Sequence, residues 1–243
     1  MTSNSIDKKT VLVTGAAHGL GSEIALAFLS AGYRVALNFH SSEEAAAELA
    51  DGSSGNAVAV MADVGSVKEV SAMIKKIEAV FGRLDVVVNN AGIAIDRLLI
   101  KQSEEEWDSV IRTNLTGCFN VIRAAAPLMS VSGGGHIINI SSYSGAKGSA
   151  GQAAYSASKS AIAGLSLTAA KELAEQNIRV NTVIPGYMPT AMGMSSPKAM
   201  ERAREESALQ RLSCPAEVAG FIVAIAALRN VTGQTFSLES RIL

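Results

Sequence analysis

Cysteine is scarce in this sequence, and neither sign of charge is in excess. The 243 residues contain only two cysteines, Cys118 and Cys214, and neither has a partner at a metal-binding spacing. We therefore expect two buried, reduced thiols and no metal site. A formal net charge of -1 gives no electrostatic basis for binding nucleic acid or an anionic membrane.

Long apolar runs are also absent. One of the longest, residues 219–228, contains about ten residues, roughly half of what a membrane-spanning helix requires. The polar segment 1–8, which reads MTSNSIDK, lacks the hydrophobic core of a signal peptide. We therefore expect a cytoplasmic protein that has no membrane partner.

Short β-branched runs alternate with segments of helical period along the chain. The runs span residues 10–16, 34–39, 57–64, 84–92, 136–142, 178–186 and 234–240. Near-continuous apolar strands that alternate with helices are typical of a parallel sheet covered on both faces. The sequence therefore predicts an α/β fold, a Rossmann-type, doubly wound, three-layer sheet in a single domain that spans residues 1–243. Ligands of such sheets bind beyond the carboxyl ends of the strands.

The first predicted strand runs into TGAAHGLG, residues 14–21, where a helix begins. Gly15, Gly19 and Gly21 permit a tight turn and let main-chain N–H groups approach a phosphate at the helix N-terminus. Glycines at such a turn can also serve geometry alone. Because this turn follows the first strand of a βαβ unit, it indicates a dinucleotide site.

A tyrosine and a lysine, Tyr155 and Lys159, stand four residues apart in YSASK, within an apolar segment of helical period at residues 153–176. Positions four apart share a helix face, so the phenol and the ammonium group can approach one another. Such a pair is often only an exposed contact in which the lysine lies along the ring. The spacing alone leaves both interpretations open.

Seven pieces of the sequence, taken in order, resemble the short-chain dehydrogenase/reductase family in its compact single-domain branch, with a pattern most similar to 3-oxoacyl-(acyl-carrier-protein) reductases. The pieces are TGAAHGLG (14–21), DV (63–64), NNAG (89–92), Asn114, Ser142, YSASK (155–159) and PGYMPT (185–190). The resemblance covers nearly the whole chain. It implies an NAD(P)-dependent oxidoreductase that transfers a hydride between its cofactor and a carbonyl or secondary alcohol, such as a 3-oxoacyl thioester.

The resemblance assigns four catalytic residues: Asn114, Ser142, Tyr155 and Lys159. Tyr155 would protonate the carbonyl oxygen, Ser142 would hydrogen-bond the same oxygen, and Asn114 would support a water that links Lys159 to solvent. A free tyrosine, with a pKa of about 10, is a poor acid near neutral pH. An ammonium group about 5 Å away would lower that pKa by about two units. We therefore expect a Tyr155 phenol that titrates near the working pH.

The resemblance also implies which residues bind the nicotinamide cofactor. They are Gly15, His18, Gly19, Leu20, Gly21, Phe39, His40, Ser41, Asp63, Val64, Asn90, Ala91, Gly92, Tyr155, Lys159, Pro185, Gly186, Met188 and Thr190. Relatives that select NAD(H) usually carry an aspartate at the position of Phe39. The missing carboxylate favours NADP(H) over NAD(H). His18, His40 and Ser41 could assist a 2'-phosphate, and either histidine can equally be a plain surface residue.

Two departures from the reductase pattern bear on partners. Where those enzymes carry basic residues, this chain has MSVSGGGH (129–136) and the pair Gln176 and Asn177, so docking of an acidic acyl carrier protein is poorly supported. Where relatives carry Asp-Gly-Gly after the last strand, this chain reads SLESRIL (237–243). Relatives are commonly tetramers through helices that contain residues 107–129 and 153–176, so we expect a homotetramer.

The substrate is expected to be a small carbonyl compound bound under a lid formed by residues 187–210. Tyr187, Met188, Met192 and Met194 would give this lid an adaptable apolar surface, or would serve as ordinary packing. Another ketone, a sugar or a steroid-type alcohol is the enzymatic alternative to a 3-oxoacyl thioester. A cofactor-binding regulator without turnover is the alternative of another class.

Overall fold

A seven-stranded parallel sheet runs through residues 8–242, which the computed structural model describes. The strands lie in the order β3-β2-β1-β4-β5-β6-β7, and each neighbouring pair is parallel. They are β1 (Thr10–Val13), β2 (Arg34–Phe39), β3 (Ala57–Met61), β4 (Val86–Asn89), β5 (Gly135–Ile140), β6 (Ile178–Ile184) and β7 (Thr235–Ser237). The predicted doubly wound parallel sheet is confirmed.

Helices connect the strands and cover both faces of the sheet. They are α1 (Gly19–Ser30), α2 (Glu43–Asp51), α3 (Val67–Phe81), α4 (Glu104–Ile111), α5 (Gly117–Val131), α6 (Tyr143–Lys147), α7 (Ala153–Glu172), α8 (Ala191–Met194), α9 (Pro197–Glu205) and α10 (Pro215–Ala227). A π-helical turn (Arg112–Thr116) joins α4 to α5.

Alternate side chains of each strand enter two separate apolar cores, because successive strand residues point to opposite faces. Val11 and Val13 of β1 face the core covered by α1 and α10. Leu12 faces the core covered by α3, α5 and α7. This arrangement confirms the predicted three layers.

Most strands end earlier than the sequence predicted. β1 ends at Val13 rather than at residue 16, and β3 ends at Met61 rather than at residue 64. Ala16, Ala62 and Val64 remain buried beyond these ends, so the apolar pattern continues into turns after the hydrogen-bonded ladder has stopped. The predicted strand ends are therefore turns, and these turns carry much of the site.

The strand order changes direction between β1 and β4. β1, β2 and β3 lead to one edge of the sheet, whereas β4 to β7 lead to the other. Connections that diverge in this way leave a crevice above the carboxyl ends of the two central strands, where doubly wound sheets bind ligands.

Some predictions concern the chain outside this crevice. Cys118 is buried as predicted, but Cys214 is exposed, because it precedes α10 as the N-cap rather than lying inside an element. Of the predicted polar segment 1–8, residues 1–7 lie outside the described residues. Across residues 8–242, no helix is both long and apolar enough to cross a membrane, and no three His, Cys, Asp or Glu side chains cluster as a metal site.

Candidate active site

The turn between β1 and α1 requires its glycines. Gly15 and Gly19 have φ angles of +62° and +58°, in the left-handed region that side chains disfavour. Gly21 is confined differently, because a Cβ there would overlap the carbonyl oxygen of Gly15. Glycine is therefore favoured by backbone conformation at Gly15 and Gly19, and by lack of space at Gly21.

The N-terminus of α1 is open to an anion. His18, the N-cap, is exposed and makes no side-chain hydrogen bond to the first turn, which carries no acidic residue. The unpaired N–H groups of a helix N-terminus and its partial positive charge favour a phosphate. Leu20 is buried in the core and anchors the helix behind this turn. The turn thus fits the pyrophosphate of a dinucleotide.

The glycine turn is fastened to the end of β4. The Thr14 hydroxyl accepts hydrogen bonds from the backbone N–H groups of Asn90 and Ala91, each at 3.0 Å. The Asn90 side-chain amide donates to the carbonyl oxygens of Thr14 and Gly15 at 3.0 and 3.2 Å. These bonds hold the predicted cofactor residues of the two central strands together at the crevice.

Gly92 connects this turn to the predicted catalytic residues Asn114 and Lys159. A Cβ at Gly92 would lie 3.2 Å from Asn114 Oδ1 and 3.5 Å from Lys159 Nζ. The structure therefore brings the NNAG turn, the π-helical turn and α7 to one point.

Of the predicted cofactor residues at the end of β2, one is buried and two are exposed. Phe39 is 6% exposed and packs against Ala17 and Ala46, so its side chain belongs to the core. His40 and Ser41 are exposed. Phe39 therefore makes no polar contact with a ligand, and its position holds no carboxylate that would repel a phosphate.

The structure adds Asn38, which sequence reasoning missed. It is buried, accepts a hydrogen bond from Gly15 N at 3.3 Å and donates to the carbonyl oxygen of Ala62 at 3.0 Å. Asn38 therefore ties the glycine turn to the end of β3. A polar amide inside the apolar run RVALNF was the available signal.

Asp63 and Val64 line the end of β3. Burial raises the pKa of Asp63, but hydrogen bonds from the Gly65 amide (2.8 Å) and Arg112 (2.6 Å) outweigh it, and the net pKa is lowered. His40 also lies near this carboxylate. Val64 packs closely against Gly117 at the start of α5. Arg112, another residue that sequence reasoning missed, thus connects Asp63 to the π-helical turn that carries Asn114.

The loop after β6 reaches the glycine turn from the other side. Pro185 is buried, Gly186 has a φ of +85°, and Met188 packs against the core under α1 and α10. Thr190 caps α8 through a hydrogen bond from Gly193 N. A Cβ at Gly19 would lie 3.5 Å from Thr190 Cβ, so this threonine stands beside the predicted phosphate site.

Ser142, Tyr155 and Lys159 converge beyond the carboxyl ends of the strands. Ser142 caps α6 directly after β5, and its hydroxyl accepts a hydrogen bond from Ser144 N at 3.2 Å. It also hydrogen-bonds the Tyr155 side chain. Lys159 Nζ lies 5.9 Å from the centroid of the Tyr155 ring, one turn along α7. Lys159 is buried, so this pair is not the exposed contact that the spacing also allowed.

Asn114 is held inside the π-helical turn and is 1% exposed. Its Oδ1 accepts from Ile93 N at 2.8 Å, and its amide donates to Ile93 O at 3.0 Å and to Ser158 Oγ at 3.1 Å. Asn114 thereby joins the segment that follows NNAG to the helix that carries Tyr155 and Lys159.

Lys159 is 4% exposed, and its ammonium group donates to the carbonyl oxygen of Ile140 at 2.8 Å. Burial lowers its pKa to about 8. A small cavity beside it is lined by Asn89, Asn114 and Cys118. Burial raises the pKa of the Cys118 thiol to about 12, so this group stays neutral next to the ammonium.

The expectation for the Tyr155 pKa was wrong in direction. Burial raises the pKa of Tyr155, the hydrogen bond from Ser142 lowers it only in part, and the Asp96 carboxylate raises it further. The Lys159 ammonium group donates to the carbonyl oxygen of Ile140 and lies 5.9 Å from the ring centroid. At that distance its attraction for a phenolate is smaller than the cost of removing the phenolate from water. Tyr155 is therefore a protonated phenol at neutral pH, which is the form that can donate a proton.

Comparison with known proteins identifies the class. Residues 9–201 match the family described as short chain dehydrogenase. The chain belongs to this family and is an oxidoreductase that acts on a CH–OH group with a nicotinamide cofactor.

Three curated relatives cover nearly the whole chain. The 3-oxoacyl-(acyl-carrier-protein) reductase FabG of Staphylococcus aureus is 42% identical over 95% of this chain and 96% of its own length. A 3-oxoacyl-(acyl-carrier-protein) reductase from Synechocystis is 40% identical over 97% of both chains. FabG from Thermotoga maritima is 39% identical over 96% of this chain and 97% of its own.

Proposed function

We propose that this protein is an NADP(H)-dependent reductase that converts the ketone of a 3-oxoacyl thioester to a secondary alcohol. The observation that carries the proposal is the convergence of Ser142, Tyr155, Lys159 and Asn114 beside a glycine turn that fits a dinucleotide. The names of the curated relatives support the substrate class.

Tyr155 and Ser142 have different roles in carbonyl reduction. When bound, the nicotinamide supplies the hydride that adds to the carbonyl carbon. Tyr155 donates its phenolic proton to the carbonyl oxygen, which then becomes the alcohol oxygen. Ser142 donates a hydrogen bond to that same oxygen and stabilises the negative charge that develops on it. The raised pKa of Tyr155 suits this direction, because the phenol enters the reaction protonated.

Lys159 stabilises the phenolate that remains after proton transfer, since its ammonium group lies 5.9 Å from the Tyr155 ring. The same ammonium group would hold the nicotinamide ribose. Asn114 positions this helix by its hydrogen bond to Ser158. By the family resemblance, it would also support a water near the ammonium group. Oxidation of an alcohol needs the phenolate from the start, so it should increase with pH where reduction does not.

The preference for NADP(H) rests on the end of β2. The core position of Phe39 leaves no carboxylate there to repel a 2'-phosphate, while His40 and Ser41 are exposed beside it. Glu43 and Glu44 in the first turn of α2 oppose a phosphate, but both are exposed, so water and salt screen them.

The cofactor preference is tested by comparing kcat/KM for NADPH and NADH with one ketone. We expect NADPH to be preferred by about tenfold or more, equivalent to about 1.4 kcal/mol. Replacing His40 by alanine should reduce this preference, whereas alanine at exposed Lys75 on α3 should not. A tenfold preference for NADH would contradict the assignment.

The thioester itself, rather than a carrier protein, is the expected recognition element. The loop at residues 130–135 and the segment 174–177 contain no lysine or arginine, and Glu175 adds a negative charge. Asn177 Nδ2 donates to Gly133 O at 3.0 Å, so the two segments adjoin. Arg179 borders them, but its guanidinium is held by the carbonyl oxygens of Gly135 and Leu228. An acidic carrier gains little electrostatic attraction there.

A panel of 3-oxoacyl thioesters and free ketones, followed through the absorbance of the reduced nicotinamide, tests the substrate class. We expect a small-molecule 3-oxoacyl thioester to be reduced with a higher kcat/KM than free ketones, and a carrier-bound thioester to give no large further gain. No turnover with any member of the panel would contradict a reductase.

Residues 187–210 are proposed as the substrate lid. They contain α8 and α9, and the hydroxyl of Tyr187 donates to Gly193 O at 2.8 Å, which holds the start of the lid to α8. Met192 and Met194 are exposed, which suits an adaptable apolar surface over a ligand.

A homotetramer is the proposed assembly. Trp107, Phe119 and Leu167 are large exposed hydrophobic side chains on α4, α5 and α7, the helices expected at the interface. Association would remove these side chains from water. Light scattering should therefore give four times the chain mass of 25.1 kDa, and a monomer mass would refute the assembly.

A further inference from the structure

The segment 238–242, which follows β7, folds back between β6 and the end of the proposed lid. Leu238 N donates to Ile184 O at 2.9 Å, and the Ser240 carbonyl oxygen accepts from Ala208 N at 3.1 Å. The segment therefore joins the sheet to the residues that follow α9. The sequence singled out this stretch only as a departure from its relatives.

Glu239 and Arg241 form an ion pair within the segment, and their side chains are mostly shielded from water. Arg241 Nη2 and Nε lie 2.6 and 2.9 Å from Glu239 Oε2, and the two side chains are 11% and 4% exposed. Gly186 permits this position, since a Cβ there would lie 2.6 Å from Glu239 Cβ. Burial raises the pKa of the Glu239 carboxylate overall, although the backbone of Tyr187 lies close enough to lower that pKa in part. The pair is thus packed against the loop after β6.

Arg241 also covers one face of Tyr143. Its guanidinium carbon lies 4.0 Å from the centroid of that ring, well within the range of a cation–π contact. Tyr143 is the first residue of α6 and directly follows Ser142. Through Glu239 on one side and Tyr143 on the other, one guanidinium joins the loop after β6 to the loop that carries Ser142.

We propose that Arg241, held by Glu239, is a positioning residue for the carbonyl substrate. It fixes the Tyr143 ring relative to the loop after β6, and so it keeps the two walls beside Ser142 at a constant separation. This inference rests on the proposed function, because it takes the ketone to bind next to Ser142. Without the guanidinium, the ring is free to turn and the ketone binds more weakly, while the proton donor is unchanged.

Kinetics separate this role from a merely structural one. Arg241→Ala should raise KM for the ketone about tenfold while kcat and the KM for the cofactor change by less than about threefold. Arg241→Lys should show nearly the same defect, because an ammonium group lacks the planar fork and the stacking face. An unchanged ketone KM, with only a lower kcat or a lower yield of folded enzyme, would overturn the inference.

A double-mutant cycle tests whether Arg241 acts through Tyr143. Tyr143→Phe keeps the ring and should retain the wild-type KM, whereas Tyr143→Leu should reproduce the effect of Arg241→Ala. The double variant Arg241→Ala, Tyr143→Leu should be no worse than either single variant, because both remove the same contact. Additive increases in KM would show that the two side chains act separately.

Hydrogen exchange of the purified protein supplies a readout that needs no turnover. Arg241→Ala should speed exchange in residues 143–147 and 186–190 by about fivefold or more. Arg229→Ala removes an exposed arginine and Ile242→Ala removes a side chain that is 83% exposed, so neither should do so. A wild-type protein that reduces no ketone would contradict the proposed function. Unchanged hydrogen exchange in Arg241→Ala would overturn this inference alone.

Discussion

Replacing Tyr155 by phenylalanine is expected to lower kcat/KM for ketone reduction by about 10²–10⁴-fold. The change keeps the ring that faces Lys159 and removes only the hydroxyl that hydrogen-bonds Ser142. Because that hydroxyl is a protonated phenol at neutral pH, its loss removes the proton donor. Water and the Ser142 hydroxyl are much weaker acids.

Cofactor binding should survive this change within about twofold, because the removed oxygen makes no contact with the glycine turn. Tyr33→Phe is the matched control, since Tyr33 packs edge-on against Phe28 with ring centroids 5.0 Å apart, before β2 and away from the crevice. It should leave turnover unchanged. A Tyr155→Phe enzyme with wild-type turnover would remove Tyr155 as the acid.

The sheet could be predicted from local pattern, because a strand that is buried on both faces carries apolar side chains at nearly every position. The strand ends could not. Ala16 and Val64 are buried in turns, and the sequence pattern reports burial rather than the backbone partners that decide where a strand stops. Local pattern also does not give the order of the strands across the sheet, because that order depends on pairings between strands that are distant in the sequence.

The site residues likewise fall into those that local sequence predicts and those that depend on distant partners. The glycine turn and YSASK could be found because their functional residues are neighbours in the sequence. Asn38 and Arg112 could not, because their partners Gly15 and Asp63 are 23 and 49 positions away. The pairing of the 238–242 segment with the loop after β6 depends on the same kind of long-range packing.

The Tyr155 pKa shows a second limit of local spacing. Positions four apart on a helix predicted a nearby ammonium group, and the structure confirms that neighbour. They could not predict how deeply both groups are buried, and burial decides the direction of both pKa shifts.

Replacing Lys159 by methionine is expected to abolish ketone reduction and to stabilise the fold by about 2 kcal/mol at pH 7. Burial lowers the Lys159 pKa from 10.5 to about 8. A shift of that size means that the buried charge costs about 3 kcal/mol. Methionine has a similar length and no charge, and the lost hydrogen bond to Ile140 O offsets about 1 kcal/mol of the gain.

The stability difference between the two proteins should depend on pH in a defined direction. In the unfolded chain Lys159 keeps its proton up to pH 10.5, whereas in the folded protein it loses it near pH 8. Between these values the unfolded state binds more protons, so the stability of the wild-type protein rises with pH. The advantage of the methionine variant is therefore full below pH 8 and is lost by pH 10.5.

Chemical denaturation of both proteins across this pH range measures the effect. Lys171→Met is the control, because Lys171 is exposed in the last turn of the same helix, and it should change stability by less than about 0.5 kcal/mol at every pH. The prediction would be contradicted by a methionine variant that is less stable than the wild type at pH 7. It would also be contradicted by a stability difference that stays constant from pH 8 to 10.5, because the buried charge would then not destabilise the fold. The expected result would mean that the fold keeps an unfavourable ammonium group at this position because the phenolate formed in the reaction needs it.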